Sequence, residues 1–431
     1  MWNNFFTILP FQKTKSWIIY HDLVQGFIYY KNSRLNLITN NLEKYPICNI
    51  KKRLQSYKIN QYHNNPKIII LSYDFGEILS FNNSKKEQLS ENFPLAIELE
   101  YNKSNFFNNH FLKKHFSGEA INKIKLTPAK IEGVCFKKYL EIFEKGYMEL
   151  LAGNCYQFNL TFEHKFTLNS TKQLLLQYIF ANIISNKNDF LSMTGAYANI
   201  TNIPVLNKIF YSNSPECLFK IKKNNTKQFS LISMPIKGSL KIKNNDFNSE
   251  EDLKKKLLSC KKNSGELNMI TDLLRNDLSS IEKTKAVVIQ KKACLKVPNI
   301  LHQYSVIKVD LSSHCNLFNI LKKIFPGGSI TGAPKKRVMK IISQLEPIPR
   351  GFYTGSTIIF HKDLKEASIN IRSATIDSNF NSVDCNDNSN SKNLSFSYGS
   401  GGGITLLSNP LEEFVEMNLK VRSFIDYLFT F

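Results

Sequence analysis

Arginine is scarce in this chain of 431 residues. Lys and Arg together number 57 against 35 Asp and Glu, a formal net charge of +22, yet only seven of the 57 are arginines. Surfaces that read nucleic acid favour Arg, whose planar fork grips guanine and phosphate in two places at once. Here the excess is lysine, enriched together with Asn, Ile and Phe. These four share A/T-rich codons, so the basic balance reads as drift spread over solvated surface. The different-class alternative, a basic nucleic-acid-binding protein, predicts steeply salt-dependent DNA binding. Where drift replaces Arg by Lys, surviving arginines mark positions that need a guanidinium. Five of the seven lie beyond residue 270: Arg275, Arg337, Arg350, Arg372 and Arg422.

Other absences narrow the class further. No apolar run approaches the roughly 18 residues of a membrane-spanning helix. The first residues, MWNNFFTILPFQKTKSW, carry neither a basic region ahead of their apolar stretch nor a small-residue cleavage site. The eight cysteines form no CxxC pair, which argues against a disulfide framework or zinc site and fits a reducing, cytoplasmic setting. No internal repeat, P-loop or GxGxxG is present. At 42% hydrophobic and 12% aromatic residues, the chain is too apolar for a disordered basic tail. No Pro/Gly/Ser linker divides it. The expectation is one interlocked mixed α/β unit, with residues 1–120 packed as an N-terminal portion on a catalytic unit formed by 121–431.

Several blocks carry chemistry. Residues 134–151 place Phe136, Tyr139, Leu140, Phe143, Tyr147, Leu150 and Leu151 at helical spacing, Gly153 ends that helix, and Cys155–Phe166 reads as a strand. FPGGSITGAPKKR at 325–337 leads into a helix with Val338, Ile341, Ile342 and Leu345 on one face and Pro334 in its first turn. The backbone N–H groups of such a glycine-preceded N-terminus suit a carboxylate or phosphate; an ordinary turn into a helix is the alternative. In SGELNMITDLLRNDL, Ser264 is a candidate cap, and Glu266 is either a dipole partner in the first turn or a metal ligand. In YGSGGGI, Gly401, Gly402 and Gly403 imply backbone lying against a ligand or another strand. The helix that follows has Asn409 as cap, Pro410 at its first position and Glu412 completing a capping box. Glu413 and Glu416, three apart, share a face, so one or both are candidates to ligate a hard cation. Glu266 and Glu416 together could hold one Mg²⁺ between two helices. Lys237 follows the apolar strand FSLISMPI and precedes Gly238, a setting for a buried nucleophilic amine; a random lysine would be surface.

Taken together these blocks resemble the chorismate-utilising enzymes, which include the anthranilate, aminodeoxychorismate, isochorismate and salicylate synthases. The matching pieces are YQFNL at 156–160, SPE at 214–216, PIKGS at 235–239, ELNMITDLLRNDL at 266–278, His302, FPGGSITGAPKKR, RGFYTGS at 350–356, INIRSAT at 369–375 and GGGI…EEFVEMNLK at 401–420, in the family's order. The resemblance implies an α/β (α+β type) fold of two large face-to-face β-sheets with helices outside. It implies a Mg²⁺ held by Glu266 and Glu416. It places Tyr353, Arg372, Gln157, the Gly401–Gly403 backbone and the Gly238–Ser239 turn against substrate, with His302 near the reacting ring. A core histidine is the plain alternative for His302.

Two positions choose within that family. Hydroxylating members carry a general-base Lys where this chain has Gln157, and a neutral amide cannot deprotonate water. Anthranilate synthases have Ala, and aminodeoxychorismate synthases Lys, at the position of Lys237. The implied mechanism has the Lys237 amine attack ring C2 while Glu216 protonates the departing C4 hydroxyl. Ammonia then attacks C4 and expels the lysine. Anthranilate synthase is the alternative. Amidotransferases carry a G-x-C-x-G nucleophile elbow; Gly153-Asn154-Cys155-Tyr156-Gln157 lacks the final Gly. The ammonia is therefore expected from a separate glutamine amidotransferase subunit, in a heterodimer with no nucleic acid or membrane partner. Two departures from the family stand out, a longer turn around residues 222–226 and a polar loop at 378–395, both lengthening hairpins.

Overall fold

The computed structural model describes residues 4–11, 16–81, 91–107, 126, 128–185, 195–224, 228–241, 249–297, 300–380 and 393–429. Its strands pair antiparallel throughout. Starting at Gln157–Asn169, the path of partners runs through Asn393–Ile404, Ser373–Phe380, Lys208–Ser212, Asn199–Ile203, Phe6–Phe11 and Ser16–Tyr29. It continues through Ala96–Phe107, His63–Leu71, Ser356–Lys362, Leu364–Ile369, Cys217–Lys223, Phe229–Met234, Ile300–Leu311 and Val287–Val297. The long strands Ser16–Tyr29 and Ala96–Phe107 carry this path from one layer of the sheet into the other.

The apolar clusters show how the path folds on itself. Leu9, Ile18, Tyr20, Ile68, Ile70, Ile97, Leu99 and Phe210 pack together between the two layers. One outer face, with Phe166, Ile376 and Phe396, is covered by Leu175 and Ile179 of the helix Lys172–Ser185 and by Val421 and Phe424 of the helix Pro410–Phe429. The other outer face, with Ile69, Leu71, Phe219 and Ile307, is covered by the helices Ile47–Gln55, Tyr73–Phe81, Lys261–Ser279 and Leu317–Ile324. The run Ile68-Ile69-Ile70-Leu71 explains itself here. Successive strand side chains point to opposite faces, so 68 and 70 enter the sandwich while 69 and 71 meet the helices. The mixed α/β fold expected from the resemblance is therefore present, built on one continuous antiparallel sheet that folds over on itself with helices outside. Among the described residues no helix is long and apolar enough to cross a membrane.

Local expectations fare unevenly. The first helix of the catalytic unit runs Phe136–Leu151 and the strand after it Gln157–Asn169. Asn409 caps its helix, accepting from the N–H groups of Leu411 at 2.9 Å and Glu412 at 3.2 Å. Pro334 is the N-cap of the helix Lys335–Leu345 rather than part of its first turn. Ser264 caps nothing: its helix already begins at Lys261, and its hydroxyl donates to the carbonyl of Leu258. Glu266 thus sits beyond the first turn, where a dipole role is weak. Of the two lengthened hairpins, residues 225–227 and 381–392 lie outside the described residues; the strands flanking each pair with one another.

Gly332 answers to its own chain. It sits at φ +143°, and a Cβ there would lie 2.0 Å from the carbonyl oxygen of Gln157, because Gly332 and Ala333 pair with Phe158 and Gln157. Gly265, helical and exposed, has nothing within 4 Å of its would-be Cβ. Gly332→Ala is expected to destabilise by about 2 kcal/mol or more, while Gly265→Ala stabilises by about 0.5–1 kcal/mol; thermal melts of both variants check the opposite signs.

Candidate active site

The site grows from one hairpin. Cys217 pairs with Met234, so Glu216 falls beside Pro235 and Ile236, where the second strand turns into Ile236–Lys241. The Ile236 N–H lies 3.5 Å from the Glu216 Oε1 it donates to, and the Glu216 carbonyl accepts from Ile369 at 3.1 Å. Glu216 is 3% exposed. Burial pushes its carboxyl from an ordinary 4.5 up to about 7, opposed by the Ser329 hydroxyl, the nearby Lys237 charge and the Ile236 amide.

Lys237 sits on a bulge. The register against Ile300–Leu311 shifts between Ile236 and Ser239, and the two residues between are Lys237 and Gly238. Gly238 takes φ +82°, and a Cβ there would be 2.7 Å from Cβ of Asn263 on the neighbouring helix. The bulge turns the Lys237 side chain inward, to 13% exposure, with Nζ 4.0 Å from Glu266 Oε2 and 3.5 Å from Asn159 Oδ1. Burial pulls the ammonium below its ordinary range. Glu266 and Glu216 oppose that, Lys420 adds to it, and Glu416 opposes it more weakly.

Of the two carboxylates expected to hold a metal, Glu266 is the one at Lys237, whereas the Glu416 side chain, on another helix, is 59% exposed and acts on Lys237 only as a minor charge. Glu416 is paired with Lys420 at 2.8 Å, and Lys420 also donates to the Gly401 carbonyl at 2.9 Å. Glu413 is buried; its Oε1 accepts from the Ser408 hydroxyl at 2.8 Å, while its Oε2 lies 3.1 Å from where a Cβ on Gly402 would sit. Among the described residues no group of three or more His, Cys, Asp or Glu is placed to hold a metal.

His302 lies across from Ser239 in the strand register. Arg372 Nη2 is 3.2 Å from His302 Nε2. Arginine has only donors, so Nε2 accepts and the ring proton sits on Nδ1. Burial and the Arg372 charge drive His302 down to about 3, so it is a neutral imidazole at working pH. Arg372 itself adopts φ +51°, a strained conformation for a non-glycine residue of the kind that gathers at functional sites. Burial also raises the phenols of Tyr353 and Tyr398.

Gly401, Gly402 and Gly403 pair with Thr161, Leu160 and Asn159. A Cβ on Gly403 would lie 2.3 Å from Gln157 Nε2 and 3.1 Å from Lys237 Nζ, so this backbone forms the wall beside the amine. Gln157 is buried in the same wall. The structure brings Lys237, Glu216, Glu266, Glu416, Gln157 and Gly403 together, and links His302 to Arg372. Sequence reasoning missed Asn159 and Lys420. Both had a signal: Asn159 is two residues from Gln157 on the same strand face, and Lys420 is four from Glu416 on one helix. Cys155 does not serve as a nucleophile; it is buried, and burial pushes its thiol up to about 11.

Residues 6–426 match the family described as chorismate binding enzyme. Over 229 residues the chain is 32% identical to the chloroplastic aminodeoxychorismate synthase of Arabidopsis thaliana, covering 53% of this chain and 23% of that protein. Over 219 residues it is also 32% identical to anthranilate synthase component 1 of Neisseria meningitidis serogroup B, covering 49% of this chain and 40% of that protein. The chain therefore spans about a quarter and two fifths of the lengths of these curated relatives. The crystal structure of anthranilate synthase component I from Streptococcus pneumoniae superposes with a TM-score of 0.69 at 19% identity, over 98% of this chain and 92% of that one, a likeness of fold.

The raised carboxyl of Glu216 has a measurable consequence. An unfolded chain releases that proton near 4.5 and the folded one near 7. The stability the protonated group contributes is full below the first value and lost as pH rises through the second. The melting-temperature advantage of Glu216→Gln over the parent should therefore grow between pH 5 and 7 and level off above; a gap independent of pH would contradict the assignment.

Proposed function

We propose that this chain, which belongs to the chorismate-binding enzyme family, converts chorismate and ammonia to 4-amino-4-deoxychorismate, the work of aminodeoxychorismate synthase component I. The single observation that carries this reading is Lys237, an inward-turned, largely enclosed amine whose ammonium is pulled below its ordinary range beside a carboxyl pushed up to about 7. The overall likenesses do not choose, since an aminodeoxychorismate synthase and an anthranilate synthase match at the same identity.

The residues suit a two-step exchange. The lone pair of deprotonated Lys237 forms a bond to ring C2, both ring double bonds shift by one position toward C4, and the C4–oxygen bond breaks. Glu216 gives its proton to the departing oxygen, which leaves as water. Ammonia then bonds to C4, both double bonds shift back, the C2–nitrogen bond breaks, and the lysine leaves as an amine once a proton is lost. Occupation of C2 by Lys237 steers ammonia to C4; without it, ammonia reaches C2 and gives the 2-amino compound on the way to anthranilate. Arg372 offers a planar fork to a substrate carboxylate, with neutral His302 fixed beside it. Tyr353, the Gly238–Ser239 turn and the Gly401–Gly403 backbone complete the substrate surface.

Glu266 and Glu416 fit a Mg²⁺ ion. Both act on Lys237 from separate helices, and this cation takes few protein carboxylates while keeping waters or substrate oxygens. Bound there, it would supply a hard positive contact for a substrate carboxylate. Ammonia would come from a glutamine amidotransferase, proposed as a partner subunit; within this chain Cys155, whose thiol burial pushes up to about 11, is unsuited to that task.

Lys237→Ala tests the reading. With chorismate, Mg²⁺ and an ammonium salt, 4-amino-4-deoxychorismate formation should fall by at least about a hundredfold, with any residual product shifted to the 2-amino compound or anthranilate. An undiminished rate of 4-amino-4-deoxychorismate formation would sink the covalent role of Lys237.

A further inference from the structure

Asn159 is tied down on three sides. Its backbone N–H donates to the Thr331 carbonyl at 2.8 Å, its own carbonyl accepts from Arg350 Nη2 at 2.9 Å, and its side-chain Nδ2 donates to the Ser329 carbonyl at 2.7 Å. The last bond settles which way the amide points. A flipped amide would set oxygen against oxygen at Ser329, so Oδ1 must face the other side. On that side lie Lys237 Nζ, at 3.5 Å, and the bare backbone of Gly403, whose would-be Cβ is 3.1 Å from Oδ1. The residue is 9% exposed, so water has little access to this contact.

Resting on the reading of Lys237 as nucleophile, we propose that Asn159 is its positioning residue: the locked Oδ1 accepts one N–H of the lysine, and so fixes the direction in which the amine lone pair leaves the wall toward the ring. A neutral acceptor suits this better than a carboxylate would. It orients the amine without adding to the negative charge that Glu266, Glu216 and Glu416 already place around it, which Lys420 opposes.

The consequence is one of product choice. A mispointed Lys237 engages C2 slowly, and ammonia then competes for that carbon. In Asn159→Ala, kcat for 4-amino-4-deoxychorismate should fall about 10- to 100-fold with KM for chorismate within about threefold of the parent, and the fraction of 2-amino product or anthranilate should rise. Asn159→Asp loses the lock on Ser329 but keeps an acceptor on the side chain, and should retain more 4-amino product relative to the 2-amino compound than Asn159→Ala, even where both variants lose melting temperature. Products are separated by chromatography and counted for the parent, both Asn159 variants and Lys237→Ala. A fall in total turnover with an unchanged product ratio in both Asn159 variants would overturn the positioning role. If Lys237→Ala also leaves the ratio unchanged, the fault lies in the nucleophile assignment; if Lys237→Ala alone alters it, the fault lies in Asn159.

Discussion

The site turns on the cost of keeping an amine out of water. A lysine on the surface stays protonated and has no lone pair to offer, whereas one that is desolvated gives up its proton more readily. Here desolvation is produced by three pieces of backbone geometry. The bulge at Lys237–Gly238 turns the chain inward, the Gly403 backbone comes within 3.1 Å of Nζ at the position of a would-be Cβ, and the strand beginning at Gln157 lies on another side. The carboxylates Glu216 and Glu266 moderate the effect, and the balance leaves the Lys237 ammonium below its ordinary range.

That wall is itself held by a buried ion pair. Arg350 and Glu346 are each almost fully enclosed, 2.7 Å apart. Arg350 donates to the carbonyls of Ile330 and Asn159, and its guanidinium lies 4.4 Å over the ring of Tyr73. Glu346 accepts from the backbone N–H and hydroxyl of Thr161, both at 2.9 Å. One pair thus ties the strand at 157–169 to the glycine-rich segment at 328–331 and to the turn that carries Tyr353. Buried charges of this kind are costly to split, because removing one partner strands the other in the interior. The arginine that survived drift at position 350 shapes the site without touching the chemistry.

Much of this was legible in the residues, and the reasons for the rest are physical. Periodicity located the helix ending at Leu151, since that pattern is local. Asn409 was a sound cap because its helix begins where its side chain can reach. Ser264 failed because the helix extends past it, and nothing in a single residue's preference fixes where a helix starts. The pairing of Phe6–Phe11 with Asn199–Ile203 lies beyond any local signal. So does the bond from Ser408 to Glu413, which depends on how the turn before the helix folds back. Asn159 escaped notice because its role depends on Ser329, a residue 170 positions away. Lys237 was found by context, an apolar strand before and a glycine after, and the resemblance gave that context a reaction.

The account stands most directly on what the unmodified chain makes. Supplied with chorismate, a magnesium salt and an ammonium salt, it should form 4-amino-4-deoxychorismate, identified by chromatography and mass. Anthranilate as the sole product would contradict the central claim that Lys237 holds C2 while ammonia attacks C4.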